Sequence, residues 1–405
     1  MRIIMFIVIG AYCLITSCKK TNSINVVSID HPYKFPQEIA DELEKDSNPW
    51  KHEPAAWAYS RIGEYEKALV QWDLSRKTLA TEFGILLHGD TIDSTTFFDE
   101  HHAVPSQERI LKRAAEHQVL LINEGHHLPN HRVFTASLLL ELWNLGYRRI
   151  GFEAIIDDLA TMHQEGYPTY GLGTYTEEPQ FGELIREALT IGYKVFGYDS
   201  DDLYDEDREI YQAKTIASVI TDNPDEKTII HCGFGHLYEN PNNRLMGYQL
   251  GQLTNLDPLT VNQYHYSERY STLYEHQVYT DLVTDESVVF MSNAGEDFGR
   301  PNGDSINEDL LVFHPRTKYK DSRPTWLEDD DRSLTKIELP DSDIDCPCLV
   351  MAINADESMD RAVPIDVIHI HDYSDDVYLS LKKGHFNIVV QNQGKRGISF
   401  SSNRT

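Results

Sequence analysis

Cysteine is scarce: the 405 residues hold five, and no two stand in a CxxC pair. That excludes the common thiol-redox and zinc-ribbon frameworks, and so few scattered thiols build no disulfide scaffold. Positive charge is also in deficit, with 36 Lys and Arg against 65 Asp and Glu and a net charge of −29. So acidic a chain repels phosphate backbones, which argues against nucleic acid as a partner. Past residue 20 no apolar run approaches the ~20 residues needed to cross a bilayer. GxSxG, HExxH and GxxxxGK[ST] are missing as well. Ordinary serine hydrolases, zincins and P-loop enzymes lose weight accordingly.

What remains has the make-up of a globular protein, 40% hydrophobic and 25% charged. Its length suits two or three domains of ~100–200 residues each. Residues 1–17 (MRIIMFIVIGAYCLITS) place one cation, Arg2, before an apolar stretch from Ile3 to Ile15. This is the pattern of an export signal. The small residues Thr16-Ser17 before Cys18 resemble the lipobox of bacterial lipoproteins, which implies a lipidated Cys18 and a place on the bacterial cell envelope. Residues 18–31 then read as a tether. Cys13 departs with the signal, leaving Cys232, Cys346 and Cys348 beside the anchor.

Residues 32–106 read as a helical lead-in, with 55–73 spaced as one helix pair that must pack on a neighbour. Residues 107–325 read as an α/β domain. Short apolar runs at 119–123, 149–152, 194–198, 228–232 and 259–263 suit strands covered on both faces. Helices are expected at 130–145, 182–191 and 208–221, the first two ending at Gly146 and Gly192. The fold class is therefore α/β, a mainly parallel sheet flanked by helices. Residues 326–405 read as a small β-rich module with strands at 363–373, 376–381 and 386–391 and a turn at Lys383-Gly384.

In such sheets ligands bind beyond the carboxyl ends of the strands. There the chain places Glu124-Gly-His126-His127, Glu153, Asp199, Gly233-Phe-Gly235-His236 and Tyr264-His265 in turn. Imidazole and carboxylate together suit general acid–base chemistry. The same residue types suit a transition metal or haem iron, with Glu124, His126 and His236 as the metal set and His126, His131 and Asp199 as haem or ligand contacts. His117 and His231 read as core or edge residues, and His101-His102 and His369/His371 as surface pairs.

The run LLINEGHH at 120–127, then GFEA at 151–154 and CGFGHL at 232–237, resembles one known superfamily. It holds the erythromycin esterase-like enzymes, the ChaN-like haem-binding lipoproteins and the Tiki-type metalloproteases. The resemblance covers residues 106–265. The esterase-like pattern Gly-Glu-x-x-His places the first histidine at His127. The ChaN-like pattern Gly-Glu-x-His-x-x-Pro-x-His matches Glu124, His126, Pro129 and His131. Glu153 and His236 match in either phase, and Asp199 with Arg208-Glu209 resembles a further esterase-like pattern. One departure is Asn123, where the family has glycine. The resemblance implies a hydrolase acting on an ester, lactone or amide bond of a small molecule or peptide. In it Glu124, His126 or His127, Glu153 and His236 are catalytic and no cofactor is needed. Its alternatives are a non-catalytic haem- or iron-binding lipoprotein and a divalent-metal hydrolase.

Overall fold

A computed structural model describes residues 24–83, 92–156, 159–200, 207–242, 244–299 and 308–404. The export signal expected at 1–17 and the lipidation site Cys18 lie outside the described residues, as do residues 201–206 of the acidic run after Asp199. The lead-in forms helices α1 (Pro36–Lys45), α2 (His52–Arg61) and α3 (Tyr65–Phe83). The expected helix pair is thus α2 and α3, joined by a tight turn at Gly63 with φ +75°.

Six parallel strands follow: β1 (Val119–Glu124), β2 (Tyr147–Phe152), β3 (Lys194–Gly197), β4 (Lys227–Gly233), β5 (Leu259–Asn262) and β6 (Leu310–Leu311). Their order across the sheet is β3-β2-β4-β1-β5-β6. Period-two alternation sends successive side chains of β1 to opposite faces. Leu120 and Ile122 pack under α4 (Ser106–Ala114), α5 (Asn130–Asn144) and α6 (Pro179–Ile191). Val119 and Leu121 pack under α7 (Arg208–Asp222) and α8 (Met246–Thr254). Both faces are covered, which is why these strands read as unbroken apolar runs. The expected class is what the chain adopts: mixed α/β with a parallel sheet between helices and smaller antiparallel sheets toward the C-terminus.

In the C-terminal module β7 (Cys348–Asn354), β8 (Asp366–Ile370), β9 (Gly384–Asn392) and β10 (Gly397–Arg404) form an antiparallel sheet. Gly384, expected in a turn, begins β9 instead. A fifth strand, Asn25–Val27, pairs along β10 at the sheet's edge. Beyond it the Gln391 side chain bonds both the N–H and the carbonyl of buried Ile29 at 2.8 Å. The stretch read as a tether is therefore part of the folded body from Asn25 onward. One face of this sheet, Leu349, Met351, Ile353, Val367 and Val389, shares a core with Phe35, Ile39, Ala55, Tyr59 and Ile62 of the lead-in.

Candidate active site

A cleft of about 320 Å³ opens at the carboxyl ends of the parallel strands. His126, Glu153, Asp199, Gly233 and His236 line it, all supplied by segments that leave β1, β2, β3 and β4. Trp57 and Glu53 of α2 form another wall, with Tyr175 and Phe234. The lead-in helices therefore help to build the cleft.

The first group centres on His126. Its Nδ1 lies 2.8 Å from Glu124 Oε1. Arg132, wholly buried on α5, bonds both oxygens of Glu124 at 2.6 Å through Nε and Nη2 and reaches Glu178 at 2.8 Å through Nη1. Burial alone would raise the Glu124 pKa, but Arg132 and His126 hold it well below the carboxylate range. An ionised Glu124 accepts, so Nδ1 donates and Nε2 carries the lone pair. The ring is fixed by stacking on Tyr175, with centroids 3.8 Å apart, and by the edge of Trp57.

The second group centres on His236. Its Nε2 is 3.1 Å from Glu153 Oε1 and its Nδ1 is 2.8 Å from Glu209 Oε1. Burial disfavours the imidazolium, yet these two carboxylates outweigh it and push the pKa up to about 10. Glu153 in turn, against the effect of its burial, is held far below the usual carboxylate range by His236, His126 and Arg208. Arg208 bonds Asp199 through Nε at 2.8 Å and Nη2 at 2.6 Å, and Glu153 through Nη2 at 2.7 Å. Its Nη1 lies 3.4 Å from His236 Nε2, which is protonated and cannot accept. That leaves Nη1 as the guanidinium nitrogen not committed to a carboxylate.

Gly233 joins the two groups. Its N–H donates to Glu153 Oε2, and a Cβ there would sit 3.0 Å from both Glu153 Oε2 and His126 Nε2. Glycine thus lets the strand end pass between the two side chains without crowding either.

Several expected site residues stand elsewhere. His127 does not face the cleft: it is buried, stacks on Trp72 at 4.1 Å, and neither ring nitrogen has a hydrogen-bond partner. Of the two neighbouring histidines, His126 is the one that lines the cleft. His131 is also no haem or ligand contact, because it is fully buried, accepts the Gly125 N–H at Nδ1 and stacks on His314. Asp199 does line the cleft, as the partner of Arg208. Glu124, His126 and His236 do not form a metal set. Arg132 occupies both oxygens of Glu124, and His236 faces carboxylates on both nitrogens. Among the described residues one other group, Glu64, His369 and His371, brings three donor atoms within 4.8 Å of one another. His231 is a buried strand residue, as expected, 3.6 Å from Glu124.

No protein-family pattern and no curated protein matches the chain. Among solved structures it is similar to the type III effector HopBA1, at 12% identity over 40% of this chain and 85% of that one, with a TM-score of 0.30. It is similar also to the C-terminal region of Pasteurella multocida toxin, described as having a thiol-protease-like catalytic triad. There the identity is 14% over 48% of this chain and 30% of the other, with a TM-score of 0.27. RRSP, a MARTX toxin effector domain from Vibrio vulnificus, gives 12% identity over 73% and 68%, with a TM-score of 0.28. Likenesses this distant assign neither mechanism nor substrate. Within this chain Cys232 is buried in β4, where burial pushes its thiol pKa far up, so it offers no thiolate to the cleft.

The residues that sequence reasoning passed over are Arg132, Arg208, Glu209, Trp57 and Tyr175. Arg208-Glu209 was visible only as part of a resembling pattern. Arg132 directly follows His131, and an arginine eight positions after Glu124 on a helix start was the available signal.

Proposed function

We propose that the cleft is the active site of a hydrolase that activates water with His126 and cleaves an ester, lactone or amide bond. The observation that carries this reading is the Glu124–His126 pair, a histidine whose tautomer is fixed by a carboxylate that buried Arg132 keeps ionised. His126 Nε2 takes a proton from the attacking water, and the imidazolium so formed is balanced by Glu124 through Nδ1–H. The imidazolium returns that proton to the leaving alcohol or amine as the carbonyl–heteroatom bond breaks. Arg208 Nη1 offers a donor to the oxygen that gains charge in the transition state, while Glu153 and Asp199 fix the guanidinium. His236, cationic and enclosed by Glu153 and Glu209, adds positive charge beside Arg208 and acts as an electrostatic partner, not as a base. The resemblance to a superfamily that holds the erythromycin esterase-like enzymes supports a hydrolase through Glu153 and His236, which match in either phase, while His126 itself stands in the ChaN-like phase. The lipobox-like sequence before Cys18 would anchor the protein to a membrane of the cell envelope. In the haem-binding alternative His131 would be a contact, and it is buried outside the cleft lining.

The test is hydrolysis of an ester, lactone, amide and peptide panel by the wild-type protein and by His126→Ala. General-base loss lowers kcat by ~10²–10⁴-fold on whichever substrate is turned over. Equal rates for the two proteins on every compound would refute the assignment.

A further inference from the structure

The lead-in and the C-terminal sheet meet at a second cluster of ligating side chains, remote in sequence from the cleft residues. Gly63 sits in its left-handed conformation against β8, where a Cβ would come 2.8 Å from the Val367 carbonyl. This close approach sets the next residue, Glu64, beside His369. Glu64 Oε1 is 3.0 Å from His369 Nδ1. His369 and His371 stand two apart, on the same side of β8 and its continuation, and β8 is an edge strand. Their ring centroids are 4.5 Å apart with planes at 85°.

We propose that Glu64, His369 and His371 form a binding site for a divalent transition metal of the zinc type. Each offers one donor atom, and the three donors lie within 4.8 Å of one another. Two imidazoles and one carboxylate on one side, with water on the other, are the donor set of an open zinc site, with bonds of ~2.0–2.2 Å. His371 is exposed and can turn to close the remaining gap. The His369 side chain is only 2% exposed, and its Nε2 is buried with no hydrogen-bond partner. Of this pair, expected at the surface, His371 is exposed as expected, whereas the His369 side chain is buried beside a carboxylate from the lead-in. The edge of Phe35, with ring centroids 6.2 Å apart, packs against His369 and holds its ring. Lys67 competes, with Nζ 3.1 Å from Glu64 Oε2, but its side chain is 43% exposed and can turn into water when a dication arrives. Backbone N–H groups of His371 and Asp372 bond Asp375, which shapes the loop after His371. A bound ion would pin the α2–α3 turn to β8 and so clamp the lead-in onto the C-terminal sheet.

The experiment uses the chelator-treated wild-type protein, titrated with Zn²⁺ by calorimetry and with Co²⁺ by visible absorption. One equivalent binds, the Co²⁺ complex shows visible d–d bands, and Zn²⁺ raises Tm. His371→Ala, an exposed change that leaves the core intact, weakens this binding by ~tenfold or more, and Lys67→Ala strengthens it. Absence of saturable one-to-one binding overturns the proposal. Binding that is unchanged in His371→Ala places the ion elsewhere, in the cleft for example, and overturns it equally.

Discussion

At the scale of single residues, the cleft gives its two histidines different carboxylate surroundings. His126 is given one carboxylate and a free Nε2, whereas His236 is given two carboxylates and stays charged. The two carboxylates are what keep His236 charged despite its burial. Glu153→Gln removes one of the two carboxylates, so the His236 pKa falls from about 10 toward its ordinary value near 6.5. NMR titration of the His236 ring protons checks this, and an unchanged titration would contradict the ion pair. Arg132 poses the reverse problem. It and Glu124 are both buried, and such a pair survives only because every charge is answered, with Glu178 as the third member.

Among elements, α3 carries more than its modest amphipathic pattern suggests. Trp72 is fully buried, stacks on His127, and receives Arg76 on its ring at 4.6 Å. Trp72→Ala costs about 3–5 kcal/mol in chemical denaturation, the usual range for a large aromatic removed from a core. It also loosens the segment that aims His126, so activity falls with stability. The five long strands of the parallel sheet were legible because each is a short apolar run ended by a carboxylate, an imidazole or an aromatic. Helix α8 was not, since its run MGYQLGQLT has two glycines and little period. Strand β6 has two residues and exists only through pairing with β5. The position of the cleft was legible from the strand ends, and so were Glu124, His126, Glu153, Asp199 and His236. Which of His126 and His127 faces it was not, because one residue of phase after a strand depends on the turn. The aromatic walls were hidden too, since Trp57 comes from a helix some 70 positions before His126 and reaches it only through tertiary packing.

For the whole molecule, buried histidines give stability a definite pH profile. Burial holds His127 and His131 well below the ordinary 6.5, His231 at about 4 and His314 at about 3. Below pH 6.5 the unfolded chain takes up these protons and the folded one does not, so stability declines as pH falls. Each such histidine adds a slope of about 1.4 kcal/mol per pH unit. His236 has the opposite sign. Its folded pKa is raised, so its contribution is complete below about 6.5 and is lost as pH rises through about 10. Urea unfolding at several pH values therefore gives a maximum near pH 6.5, with the acid limb the steeper. A plateau extending down to pH 5 would contradict the neutral buried rings.

The short strand Asn25–Val27, zipped to the last strand of the chain, bears on how far the body could stand from a lipid layer. Only seven positions separate Cys18 from Asn25. Even pulled straight, at ~3.3–3.6 Å per residue, that leash is ~25 Å long. With acyl chains on Cys18, the edge of the C-terminal sheet would ride within about one protein radius of the headgroups.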